Sequence, residues 1–328
     1  MVTPKVNVLM PVFNGEHLLE RALTSILAQT YEHFEIIILD NLSTDSTSSI
    51  CRQLARRDGR VRYVRDTQYR TSHEAANQLM EMASSEFCIS ACDDDIWEPG
   101  LLATLVGLLE SDPEAGLAAA NCRNINLADQ YIGRPFLKRL ETRLMRHGPF
   151  LFWWTYLVKR NVVPFVFALY RTEVWKSTPF CTFDWTGADV DNLFVLNVAK
   201  KHRILVTNEV LFGYRAKYRP RPPGRRDTFV SEVWNHFKYF LPHQWRFTGE
   251  LIDSIRCSNF NVVQKRLLVA RCFWAFWVHT LVYFPVGLFL EVKNRDANDI
   301  LNETLAKTRL DGLKQQTKTI KYLWKKGN

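Results

Sequence analysis

"ISACDDDIWEP", Ile89 to Pro99, sets three consecutive carboxylates between an apolar run and an apolar return. Phe87 to Ala91 reads as a short buried strand, and Pro99-Gly100 as the entry to the next helix. Like charges at adjacent positions repel, so a strand ending in Asp93, Asp94 and Asp95 calls for a positive partner. A divalent cation with oxygen ligands meets that need most directly. A solvated acidic turn is the alternative, and the surrounding chain has to decide between them.

Upstream, the pattern alternates. Val6 to Met10 is an apolar strand ending at Pro11, and Glu16 to Gln29 carries Leu18, Leu19, Ala22, Leu23, Ile26 and Leu27 at helical spacing. The continuous run Ile36 to Leu39 reads as a strand buried on both faces, stopping at Asp40. Ser43 is placed to cap a second helix reaching about Arg57. Val61 to Val64 is a third strand, and Ser72 to Ala83 a third helix that precedes the acidic strand. This alternation predicts an α/β fold with parallel strands and helices on both faces. Ligands of such sheets gather at the carboxyl ends of the strands, where Asn14, Asp40, Asp66 and Asp93 all fall. That shared edge favours the cation over the solvated turn. Further on, Val162 to Tyr170 reads as a strand, Ala188 to Ala199 as a helix and Arg203 to Thr207 as a strand.

The chain has 328 residues, 47% apolar and 23% charged, which is enough for a large core of ordinary soluble composition. Its net charge of +9 suits nucleic acid, an anionic membrane or a phosphate-bearing substrate; no nucleic-acid recognition motif accompanies the basic residues, so that class is excluded. The seven cysteines are scattered without a CxxC pair, which argues against a zinc site or disulfide framework and for a reducing cytosolic compartment. "VNVLMPVF" is too short for a secretory leader. GxGxxG and the P-loop motif are both absent, and the first turn, "PVFNGEH", has a single glycine. It offers Asn14 and backbone groups to a base or ribose. A pyrophosphate then needs another counter-ion, which a metal at Asp93 to Asp95 supplies.

"VNVLMPVFNGEHLLERALTSILAQTYEHFEIIILDNLSTDST", with "NQLMEMASSEFCISACDDDIWEP", resembles the family 2 glycosyltransferases, inverting enzymes of the GT-A fold. The likeness continues through "FVFALYRTEVW" and "GADVDNLFVLNVAKKHRILVTNEVLFGYR". The resemblance implies a Rossmann-like mixed sheet, and a nucleotide-diphosphate sugar, UDP- or dTDP-linked, as donor. It implies that Pro11, Val12, Phe13 and Glu16 line the nucleotide pocket, that Asp40 reads the base, and that Arg70 meets base or phosphate. Asp93 would contact the ribose, and Asp94, assisted by Asp93 or Asp95, would hold Mn2+ or Mg2+. Asp191 would be the general base, with Asp189 the alternative. The chain departs from the pattern at Cys92, where relatives more often carry Asp, and at Lys217, where many carry His.

Trp153, Trp154 and Trp185 are candidates to stack on an acceptor sugar; ordinary core is the competing reading. A boundary near "RAKYRPRPPGRR" separates a catalytic domain, 1–227, from a helical, aromatic and basic C-terminal extension, 228–328. Leu267 to Leu290 is apolar apart from Arg271 and His279, and reads as an interfacial helix, with a buried core or homo-oligomer helix and a true span as alternatives. Lys314, Lys318, Lys321 and Lys325 form one basic stripe if helical, suited to an anionic leaflet. The expectation is a metal-dependent transferase acting on a glycan or lipid-linked acceptor for a cell-surface polysaccharide, cytoplasmic and peripheral on the inner face of the cell membrane. The competing expectation is a non-catalytic nucleotide-sugar binder or scaffold.

Overall fold

The computed structural model describes residues 5–159, 163–178, 187–215 and 241–278. The chain forms two compact units, one of Met1–Phe152 with Val162–Arg215, the other of Trp153–Asn161 with Ala216–Asn328. The first unit thus ends at Arg215, twelve positions short of the boundary expected at 227, and the proline-rich segment lies outside the described residues.

The first unit is built on one mixed sheet. Its leading half alternates β1 (Val6–Val12), α1 (Leu19–Leu27), β2 (Phe34–Asp40), α2 (Thr47–Arg57), β3 (Val61–Arg65), α3 (Ser72–Met82) and β4 (Phe87–Ser90). β2 and β4 both pair with β1 in parallel, and β3 with β2. β2 forms because its apolar residues run without interruption, so both faces are buried: every side chain from Ile36 to Leu39 is fully enclosed. α1 buries Leu19, Ala22, Leu23 and Ile26, a single stripe at i, i+3, i+4 and i+7. Each such side chain contributes roughly 1.5–3 kcal/mol of burial.

The second half follows as β5 (Ile96–Trp97), α4 (Leu101–Ser111), β6 (Ala115–Ile125), β7 (Tyr131–Ile132), α5 (Arg139–Met145), α6 (Pro149–Lys159), α7 (Val163–Val166), β8 (Leu169–Arg171), α8 (Thr172–Lys176), α9 (Gly187–Lys201) and β9 (Arg203–Arg215). The sheet order is β3-β2-β1-β4-β8-β6-β9-β5, with β7 on β6. β8 is antiparallel to both β4 and β6, so the sheet is mixed. The strand expected from Val162 to Tyr170 is here a helical turn and a three-residue strand. Pro164 has no N–H for a ladder, and a strand between two neighbours needs every donor. β9 runs well past Thr207 to Arg215 because β6, from a distant part of the chain, pairs along its length through several register shifts. Ser43 does not cap α2, which starts at Thr47; its hydroxyl accepts the Asn14 N–H at 3.0 Å.

In the second unit, α10 (Leu241–Arg256) and α11 (Val262–Val278) lie beside Trp153–Asn161. Phe247, Leu251 and Ile255 are buried on α10, and Leu268, Cys272, Ala275 and Phe276 on α11. Arg271, which interrupts that apolar run, is held from two sides. Its guanidinium lies 3.9 Å from the Trp154 ring centroid, and its Nε donates to the Trp154 carbonyl at 3.0 Å. Burial lowers its pKa, so the arrangement must compensate the desolvated charge. No helix among the described residues is long and apolar enough to cross a membrane. Residues 279–290 and the lysine stripe lie outside the described residues.

The Arg271 clamp yields a stability prediction. Arg271→Met keeps the aliphatic stem but removes a charge-assisted hydrogen bond and a cation–π contact, together about 2–3 kcal/mol. The variant should unfold at lower denaturant concentration, followed by tryptophan fluorescence. An unchanged midpoint would mean that the stem alone holds the two segments together.

Candidate active site

The carboxyl edge of the sheet is made by three loops stitched to one another through backbone hydrogen bonds. Asn14, whose φ of 53° places it in the left-handed region that asparagine tolerates, turns the chain after β1. Its side-chain oxygen accepts the Thr44 N–H at 2.8 Å. The next two amides reach the same loop, Gly15 N–H donating to Thr47 Oγ1 at 2.9 Å and Glu16 N–H to Asp45 Oδ2 at 3.2 Å. Asn41 joins the third loop, since its side chain accepts from Arg70 N–H and donates to the Arg70 carbonyl, both at 2.8 Å. An amide group matched to a peptide in this way fixes that residue's backbone as a strand partner would.

The predicted nucleotide residues divide within this frame. Pro11, Val12 and Phe13 end β1 at the edge, and Phe13 is 46% exposed. Facing it edge-on, 5.5 Å between centroids, is Tyr69, 65% exposed. Two exposed rings from separate loops form a wall of the kind that takes a planar base. Tyr69 was not foreseen, because only folding brings the third loop beside the first. Glu16 is bound into the stitch, accepting the Ser46 N–H at 3.0 Å. Asp40 is fully enclosed, its carboxylate accepting from Ser43 N–H at 2.8 Å and Tyr63 O–H at 2.7 Å, with Arg65 at 3.6 Å. Asp40 thus organises the loop from inside. Arg70 ion-pairs with Asp66 at 2.7 Å; burial raises the Asp66 pKa, but the Arg70 bond and loop N–H donors outweigh it and hold that carboxyl below its usual range.

At the end of β4 the acidic turn has its own anchor. Arg215, the last residue of β9, donates its backbone N–H to Asp95 Oδ1 at 2.7 Å and its Nε to the Asp94 carbonyl at 2.6 Å. The rest of its guanidinium binds Asn126 O and Asp129 Oδ1, and Arg21 of α1 takes the other Asp129 oxygen. Behind the turn, Trp97 of β5 pairs with Phe212 of β9, which stacks on Phe167 at 5.1 Å. Gly213 lets these strands approach: a Cβ there would lie 2.8 Å from Ile125 Cγ2 and 3.3 Å from the Ile96 carbonyl oxygen.

The ligand atoms of Cys92, Asp94 and Asp95 lie within 4.8 Å of one another, a mixed thiol and carboxylate set compact enough for one divalent ion. Asp93 is not in that trio. Its Oδ2 approaches Gly15 so closely that a Cβ there would come to 2.3 Å, which ties the acidic turn to the first loop. The residues present therefore fit a metal held mainly by Asp94 and Asp95.

Asp191 lies in the opening turns of α9, partly exposed, with His73 Nε2 of α3 3.6 Å from its Oδ1. The side chain of Asp189, together with Trp185 and Lys217, lies outside the described residues. The acceptor tryptophans are corrected: Trp153 is fully buried against Phe260, and one face of Trp154 is occupied by Arg271. Trp153 therefore offers no ring face to a sugar.

Comparison with known proteins bears on the family and the fold. The family model described as "Glycosyl transferase family 2" matches residues 7–173. A curated relative, the GalNAc(5)-diNAcBac-PP-undecaprenol beta-1,3-glucosyltransferase of Campylobacter jejuni, is 36% identical over 142 residues, 42% of this chain and 45% of the relative. The chain spans less than half the length of the curated relatives it matches. Among solved structures, residues 1–349 of S. aureus TarS in complex with UDP-GlcNAc superpose with a TM-score of 0.61 at 14% identity, over 99% of this chain and 92% of that one. The mannosyltransferase PcManGT of Pyrobaculum calidifontis, in complex with GDP-Man and Mn2+, gives 0.56 at 20% identity, over 98% and 86%. These likenesses agree with the GT-A type of mixed sheet. With the family model covering half the sequence, from β1 past the acidic turn into α8, the chain belongs to glycosyl transferase family 2.

Proposed function

We propose that the protein transfers a sugar, with inversion, from a UDP- or dTDP-linked donor to a hydroxyl of a glycan or lipid-linked acceptor in cell-surface polysaccharide synthesis. The observation that carries this reading is the compact Cys92, Asp94 and Asp95 set at the strand end of a family 2 chain. The C. jejuni relative is named for an undecaprenol-diphosphate substrate, and PcManGT was solved with Mn2+, which supports the acceptor class and the metal.

In this reading Phe13 and Tyr69 hold the base, and the stitched loops, their amides bound to one another, hold that wall in place beside the acidic turn. Mn2+ or Mg2+ held by Asp94 and Asp95, with Cys92 beside them, would neutralise charge growing on the leaving diphosphate. Asp191 takes the proton of the acceptor hydroxyl as the new bond forms, since a hydroxyl with a pKa far above 7 is a poor nucleophile until then. A single base opposite a single leaving group gives inversion. The thiol in place of a carboxylate at Cys92 favours a second reading, a nucleotide-sugar binder without turnover. Release of UDP from UDP-glucose or UDP-GlcNAc in the presence of Mn2+ separates the two, because a binder protects its donor.

Membrane attachment belongs to the same proposal. α10 and α11 expose Trp245, Trp274 and Trp277, the last two 52% and 53% accessible, with Lys265 and Arg266 also on α11. Phe276 of the same helix is buried against Trp245. Amphipathic rings with basic neighbours suit the inner, anionic leaflet.

Three outcomes are expected. Asp94→Asn should remove the Mn2+-dependent part of UDP-sugar affinity in calorimetry while melting as the parent does; equal affinity in both proteins, with and without Mn2+, would refute the metal site. Asp191→Asn should lower transfer by ~10²-fold or more with donor affinity intact. If Asp189→Asn behaves so and Asp191→Asn does not, the base is Asp189. The full chain should sediment with phosphatidylglycerol vesicles, and Trp274→Ser with Trp277→Ser should weaken this equally at low and high salt. A chain that stays in the supernatant excludes the membrane face.

A further inference from the structure

The contact between His73 and Asp191 is made by two helices that are distant in sequence, and everything around it fixes the histidine. His73 is the second residue of α3, whose N-cap Thr71 closes a capping box with Glu74: Thr71 Oγ1 accepts the Glu74 N–H at 3.3 Å, and Glu74 Oε2 accepts the Thr71 N–H at 2.8 Å. One residue earlier, Arg70 is pinned at both backbone groups by Asn41, and its side chain by Asp66. The first turn of α3 is therefore locked to the loops that make the donor edge. The helix carries His73 to within 3.6 Å of Asp191 Oδ1, and both side chains are mostly covered.

We propose that His73 is a positioning residue for Asp191, an inference that rests on Asp191 being the base. An aspartate carboxylate turns freely about its last bond, and a base works only while one oxygen faces the proton it takes. His73 Nε2–H donates to Oδ1, which leaves Oδ2 to accept the proton of the acceptor hydroxyl. The imidazole itself neither gains nor loses a proton in the transfer step. At 3.6 Å the contact is longer than a hydrogen bond, and the proposal requires it to shorten in the substrate complex, as catalytic contacts commonly do. Because the locked turn also belongs to the donor loops, His73 links the place where the nucleotide binds to the orientation of the base.

The test uses the full-length protein with Mn2+ and whichever of UDP-glucose, UDP-GlcNAc and dTDP-glucose raises its melting temperature most, with release of the nucleoside diphosphate as readout. His73→Ala should lower kcat about 10-fold or more with the donor KM unchanged. His73→Gln, whose Nε2 can donate from nearly the same place, should recover to within about 3-fold of the parent. Added to Asp191→Asn, His73→Ala should bring no further loss, since two residues serving one step are not additive. The proposal is overturned if His73→Ala changes only KM, if Gln fails to rescue an alanine variant that melts as the parent does, or if the two losses multiply. A fully active Asp191→Asn overturns the base assignment and the proposal with it. An inactive Asp191→Asn beside a fully active His73→Ala overturns the proposal alone.

Discussion

Arg215 anchors the turn that carries three adjacent carboxylates at the end of β4. From the last position of β9 its side chain binds the Asp94 carbonyl and ion-pairs with Asp129, which brings a positive charge close to the acidic turn. It does not sit on the carboxylates themselves. Its guanidinium binds the Asp94 carbonyl and Asp129, while its amide takes one oxygen of Asp95. The turn is thus fixed largely through its backbone, at the Asp94 carbonyl. An arginine set directly against Asp94 would have given a more stable turn and a blocked site.

The same economy holds on the donor side. Asp40, Asn41 and Asn14, polar residues that look like ligand contacts, spend much of their hydrogen-bonding capacity on neighbouring loops. Several acidic groups crowd there. Burial, then Asp40, Asp45 and Asp93, push the Cys51 thiol up to about 12. An edge of that sign attracts a cation and repels a bare diphosphate, so metal and nucleotide would bind better together than either alone. Pre-ordered loops also reduce the entropy lost when a donor binds.

Much of this was legible in the sequence, and the limits have physical causes. β1 to β4 and α1 to α3 could be read because their signals are local: unbroken apolar runs, helical spacing and a polar residue at each strand end. β8 was misjudged because Pro164 breaks the strand. β9 was read short because its pairing with β6 is non-local. At the site, the position of the carboxylates was readable but their surroundings were not. Whether Asp40 faces solvent depends on Tyr63 and Ser43; whether Trp153 offers a ring face depends on Phe260. His73, Tyr69 and Arg215 carry no local signal; each matters only because the topology sets it beside a partner far along the chain.

The distance between the acidic turn and its anchor also has a consequence for biosynthesis. Arg215 follows Asp95 by 120 positions. At typical elongation rates the ribosome needs roughly 6–24 s to cover that interval. Throughout it the first four strands can pair, yet the acidic turn lacks its anchor, and β6 lacks the strand it will run beside. The nascent chain therefore passes through a half-sheet with a negatively charged rim and an open edge at β4, where β8 later docks. Charge at such an edge deters pairing with another chain. During translation the carboxylates would serve as solubilising gatekeepers, before they serve any ligand.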